Sequence, residues 1–274
     1  MITSDGVRLH VETHGVGRPL VLVHGWTMSC RFFDRQVKEL SNRFKVVTYD
    51  LRGHGRSETS RRGHTVERYA LDLRELIESL DLRGCILCGW SLAVPVVLEY
   101  WNHFEDDRID ALGLIEATPA PMHPAEWNTH GLSGRDAMAL DIFLNAFVAN
   151  RSGYGRSFVN GMFAAGAAGS DFDWMFAEYL LARPSSAAAI YREYARCDYV
   201  DALRRVTVPS LAAFGSHAKA CFGPKTGRFT AESMPDCRLE IFNQSGHMPF
   251  WEEADAFNRS IDCLAARIPA KPLS

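Results

Sequence analysis

Short apolar runs alternate along this chain with longer segments of helical period, and few folds accept that alternation other than a mostly parallel sheet covered by helices. The runs at 20–23, 45–49, 85–88, 111–115 and 211–214 read as buried strands, and 238–242 closes the series. Between them, residues 65–80 place Val66, Tyr69, Leu73, Leu76, Ile77 and Leu80 at the spacing of an amphipathic helix. Residues 254–266 read as a C-terminal helix. From Pro119 to Tyr199 the rhythm breaks. No strand is evident there, and the helical stretches 136–148, 171–182 and 185–194 are punctuated by Pro119, Pro121, Pro124 and Pro184. The expected fold class is a doubly wound α/β sheet: a core of residues 1–118 and 200–274, with a helical insertion at 119–199 lying as a lid over an apolar pocket.

With 274 residues, 47% of them hydrophobic, the chain is long enough for one well-buried core. A net charge of −3 gives no global attraction to nucleic acid or to an anionic membrane, so the expected partner is a small-molecule substrate. No basic region followed by an apolar stretch opens the sequence, and no later segment reaches the roughly 18 apolar residues of a membrane span, so a cytoplasmic location is expected. The aromatic insertion is also a possible homodimer face. Cys30, Cys85, Cys88, Cys197, Cys221, Cys237 and Cys263 are odd in number and scattered, as free thiols would be. Cys85 and Cys88 form a CxxC inside a strand-like run, where a redox pair would instead sit at a helix N-terminus, so both are read as buried structural residues.

Three local patterns carry chemistry. Gly89-Trp90-Ser91-Leu92-Ala93 follows an apolar strand and precedes a helical stretch, the setting of a serine held on a sharp strand-to-helix turn. Small residues two positions either side let strand and helix approach, although the second is Ala93 rather than glycine, and Pro95 falls in the helix's first turn, where its missing N–H costs little. His24-Gly25-Trp26 follows the first strand; the backbone N–H groups of Trp26 and Leu92 together would form an oxyanion hole, and such donors contribute about 3 kcal/mol to a tetrahedral transition state. In Ser245-Gly246-His247-Met248-Pro249-Phe250-Trp251-Glu252, a loop after the last strand presents His247 as a general base for Ser91. His10, His14, His64, His103, His123 and His130 sit in polar contexts and read as surface residues, while His54 in Asp50-Leu51-Arg52-Gly53-His54-Gly55-Arg56-Ser57 reads as a loop tie.

Taken in order, HGW, DLRGHGRS, GWSLA and SGHMPFWEE resemble the α/β-hydrolase superfamily over essentially the whole chain. The resemblance implies the chain order nucleophile, acid, histidine, with no cofactor and no metal. It also implies an aspartate in the loop after the penultimate strand, where this chain has Ala218. Some members resemble an alternative in which the acid follows the preceding strand; there the run 111–115 leads straight into Glu116, at the sheet edge where α/β active sites form. Glu116 is therefore the expected partner of His247, with a water-aided dyad, Asp236 or Asp201 as the other options. Trp26, Trp90, Leu92 and the insertion aromatics Phe143, Phe147, Trp174 and Phe176 are expected to line the pocket. The expected reaction is hydrolysis of a small or medium carboxylic ester or lactone through an acyl-enzyme on Ser91. The fold also hosts cofactor-free oxygenases, C–C bond hydrolases, perhydrolases and non-catalytic ligand receptors, so those alternatives stay open.

Overall fold

The structure is a computed structural model that describes residues 1–167, 169–218 and 222–269. Each expected strand forms. Strands β1 (Val11–His14), β2 (Arg18–Val23), β3 (Phe44–Tyr49), β4 (Cys85–Trp90), β5 (Ile109–Ile115), β6 (Ser210–Gly215) and β7 (Cys237–Phe242) make a seven-stranded sheet in the order β1-β3-β2-β4-β5-β6-β7. All neighbours are parallel except β1, which runs antiparallel to β3. β1 has no apolar run to announce it, because it is a polar, half-exposed edge strand whose place is set by pairing with β3. The central strand β4 is buried at every position, Cys85 and Cys88 included; Cys221 lies outside the described residues.

Helix α1 spans Asp34–Leu40 and α2 Val66–Ser79, with the Thr65 hydroxyl accepting the Arg68 N–H at 3.1 Å as the α2 N-cap. Helix α3 (Ala93–Phe104) packs on β4 and beside α2. Between β5 and β6 the chain forms α4 (Ala137–Ala149), α5 (Arg151–Gly161), α6 (Gly169–Leu181), α7 (Pro184–Arg196) and the single turn α8 (Val200–Leu203). The chain ends with α9 (Pro224–Ser233), α10 (Pro249–Glu252) and α11 (Ala254–Ala266), the last packed on β6 and against α1. Helix α5 escaped the sequence reading because its glycines look like a loop. Gly155 is there for close approach: a Cβ on it would lie 2.1 Å from the Tyr179 ring of α6. Among the described residues, no helix is long and apolar enough to cross a membrane.

Two of the histidines read as surface residues are buried instead. His64 has its ring nitrogens 3.0 Å from the Tyr69 hydroxyl and 2.9 Å from the Ser60 carbonyl. His130 is folded under the inserted helices, stacked on Phe222 with ring centroids 5.1 Å apart. Polar neighbours in sequence misled in both cases, since the rings are bonded inside the fold, that of His130 through its Nδ1 to the Leu132 N–H at 3.3 Å.

Candidate active site

Ser91 stands where β4 turns into α3, with a φ of 57° that side-chain-bearing residues rarely adopt. The turn is held from both sides: the Ser91 N–H donates to Ile115 O on β5, and its carbonyl accepts the Val94 N–H, each at 2.9 Å. Strand and helix approach so closely that a Cβ on Gly89 would meet the Ala93 carbonyl oxygen at 2.7 Å. The tight contact at position 93 falls on its carbonyl, so alanine is accommodated there.

Glu116 is the next residue after β5, and it too is left-handed, with φ 44°. Its N–H donates to Ala213 O at 2.9 Å, crossing to β6. One carboxyl oxygen accepts the Gly215 N–H at 2.6 Å, and the other lies 3.1 Å from Nδ1 of His247. Both side chains are buried. Burial drives the Glu116 carboxyl well above the usual carboxylate range, against the pull of the Gly215 N–H and with the nearby Glu252 charge adding to the rise. His247 is fixed by its backbone as well: its N–H donates to Met162 O at 2.7 Å, and its carbonyl accepts the Trp90 indole N–H at 2.9 Å. The other carboxylates considered for this role are engaged at the surface. Asp201 pairs with Arg204 and Asp236 with Arg267.

The 24–26 turn passes directly over Ser91, since a Cβ on Gly25 would lie 3.1 Å from the Ser91 Cβ. His24 shapes that turn, with Nδ1 donating to Gly25 O at 2.8 Å and Nε2 accepting the Leu51 N–H at 2.9 Å; burial lowers its pKa to about 4, so it stays neutral. The Trp26 indole N–H donates to Ala187 O of α7 at 2.8 Å, tying the turn to the insertion. The 50–57 stretch is a structural tie. Asp50 accepts the Cys30 and Arg56 N–H groups at 2.7 Å each, buried Arg52 pairs with Asp5 and Asp72, and His54 bonds Arg52 O at 3.0 Å. His10, Cys30 and Asp50 bring donor atoms within 4.8 Å of one another. Both Asp50 oxygens are already occupied, however, and burial drives the Cys30 thiol above its ordinary range, so the trio suits no metal ion.

Ser91 is 9% exposed and, with Leu92, forms part of the wall of a cavity of about 180 Å³. Trp26, Phe143 of α4, Tyr154 and Phe158 of α5, and Tyr191 of α7 also line it. His130, Leu132, Tyr194 and Phe222 complete much of the remainder. Of the expected lining residues, Trp26, Leu92 and Phe143 are there; Trp90, Phe147, Trp174 and Phe176 are not. Trp90 is sunk among Phe32 and Phe250 at 5.6 and 4.9 Å, and Phe147 backs Trp26 at 4.7 Å. Trp174 packs on Phe32 and Trp251, and Phe176 on Phe172 and Tyr179, because α6 turns these rings away from Ser91. Sequence reasoning missed Tyr154 with Phe158 and Tyr191 with Tyr194, although their i,i+4 and i,i+3 spacing was a usable signal. For His130 and Phe222 no such signal existed.

Residues 20–260 match the sequence model of the alpha/beta hydrolase family. A non-heme chloroperoxidase of Streptomyces lividans is 31% identical over 254 residues, covering 89% of this chain and 91% of the relative. A bifunctional esterase/perhydrolase of Acinetobacter calcoaceticus is 27% identical, over 94% of this chain and 96% of its own. The solved structure of an esterase from Exiguobacterium antarcticum superposes with a TM-score of 0.88 at 24% identity, over 97% of this chain and all (100%) of its own, a likeness of fold.

Proposed function

The chain belongs to the α/β-hydrolase family, and from the site it builds we propose that it is a serine hydrolase that cleaves a small, uncharged carboxylic ester or lactone through an acyl-enzyme on Ser91. The observation that carries this reading is the buried Glu116–His247 hydrogen bond at the edge of the sheet that also holds Ser91 on its strained turn. Ser91 Oγ attacks the acyl carbonyl while His247 takes its proton; Glu116 holds the imidazole through Nδ1 and stabilises the imidazolium that forms. The oxyanion is received by the N–H groups of Trp26 and Leu92, a reading supported by the close passage of the 24–26 turn over Ser91. His247 then returns the proton to the departing alkoxide, and water, activated by the same histidine, releases the acid. Residues 119–199 act as the cap whose aromatic rings complete the pocket. Among the described residues no Lys, Arg, Asp or Glu lines the cavity, which favours a neutral acyl group over one bearing a charge.

The test is hydrolysis of p-nitrophenyl acetate and butyrate beside Ser91→Ala. Multiple turnovers that fall by at least about 10³-fold in the variant are expected. Turnover that survives the substitution would move the reading to chemistry in which His247 acts directly on the substrate. The names of the two relatives support a second reading in which peroxide replaces water at the deacylation step. Peracid formation from acetate and peroxide, lost in Ser91→Ala, is the outcome that would carry it.

A further inference from the structure

The motif that supplies His247 ends in two glutamates, and the mechanism above uses neither. Glu252, the last residue of α10, is half-buried and splits its carboxyl between two backbone amides from separate parts of the chain. One oxygen accepts the Gly246 N–H at 2.7 Å, in the residue immediately before His247; the other accepts the Ala164 N–H at 2.9 Å, in the segment after α5. The same two segments meet directly. His247 donates its N–H to Met162 O at 2.7 Å, and a Cβ on Gly246 would lie 2.5 Å from that same oxygen. Glu253 holds only the start of the loop, accepting the Gln244 N–H and the Ser245 hydroxyl at 2.9 and 2.6 Å.

We infer that Glu252 is a positioning residue, a single carboxylate that locks the His247 loop to the inserted helices and so fixes where the imidazole stands. The inference rests on the hydrolase reading for its kinetic consequences but not for its geometry. Each bond from an ionised carboxylate to an amide is of the stronger, charge-assisted kind. The titratable groups that face His247 are Glu116 from the end of β5, Glu252 from α10 and His130 from the segment ahead of α4. Burial raises the Glu252 carboxyl, with the neighbouring Glu253 charge adding to the rise, and the two amides and His247 oppose it.

Glu252→Gln keeps the size but turns an amide donor toward one of the two N–H groups, whereas Glu252→Asp keeps the charge and is one methylene too short to serve both. The first expected result with p-nitrophenyl acetate is a fall in kcat of about tenfold or more in both variants, with little change in KM. A readout independent of turnover is the far-downfield proton resonance of the His247–Glu116 hydrogen bond, assigned by its loss in Glu116→Gln. That resonance should broaden or vanish in both Glu252 variants. Unchanged kcat with an unchanged resonance, or a rise in KM alone, overturns the inference. If the wild-type protein shows no Ser91-dependent turnover, the hydrolase reading falls, and the resonance alone decides the role of Glu252. If Glu252→Gln does not accumulate as folded protein, the kcat and the resonance of Glu252→Asp decide it.

Discussion

Strands β5 and β6 lie side by side and end differently. β5 runs into Glu116, whose side chain reaches His247. β6 ends at Gly215 and runs into Ser216, His217 and Ala218: the Gly215 N–H bonds the Glu116 carboxyl, and the His217 N–H meets the same histidine loop by donating to Ser245 O at 3.0 Å. One strand end thus supplies the carboxylate, and its neighbour supplies a donor that orients it. The contrast teaches that a histidine on the loop after β7 constrains where Nδ1 points more tightly than it constrains which adjacent strand answers it.

The sharpest way to break this comparison is Glu116→Gln. It is expected to lower kcat by about 10³-fold or more, as loss of a triad carboxylate does, while thermal unfolding at neutral pH shows equal or greater stability. The sign follows from burial: the folded state holds the carboxyl's pKa above its unfolded value, so ionisation opposes folding as pH rises, and a neutral amide removes that opposition. A wild-type rate in this variant would take the acid away from β5. A smaller effect is expected on moving the acid across the gap: in a Glu116→Ala background, Ala218→Asp should recover about tenfold of the lost kcat. No recovery would mean that the β6 end cannot aim a carboxylate at Nδ1, and that the two ends are not interchangeable.

The smallest effect concerns the scaffold around both ends. Burial lowers the pKa of His24 and His130 to about 4 and that of His54 to about 3. Unfolded, these imidazoles take protons near pH 6.5, so stability is intact above that value and is lost as pH falls from about 6.5 toward 4. His130→Phe should reduce the slope of the melting temperature against pH in that window relative to wild type; an unchanged slope would show that His130 is protonated in the folded protein.

The strand-end residues of the candidate site were legible in sequence, and the pocket was legible only in part, for a physical reason. Ser91, Glu116 and His247 each stand at or shortly after the end of a strand, so the apolar runs that mark the strands also mark the places where such side chains emerge. Pocket residues depend instead on how inserted helices rotate against one another. Phe147 and Phe143 sit four positions apart on α4, yet only Phe143 reaches the cavity. Helical period tells which residues share a face; it does not tell which neighbour that face meets. Strand β1 and helix α5 were missed on similar grounds, since pairing with β3 and the Tyr179 ring over Gly155 decide them.

Ser91 and Glu116 also share a backbone conformation that glycine adopts without strain and side-chain-bearing residues do not. Glycine at either position would relax the turn and, on the proposed mechanism, abolish the chemistry in the same substitution. A screen that selects this protein for heat resistance alone should therefore enrich glycine at 91, whereas at 116 the same change would strip the Gly215 N–H and His247 Nδ1 of their buried partner, so any search for a tougher catalyst on this scaffold has to score turnover in every round.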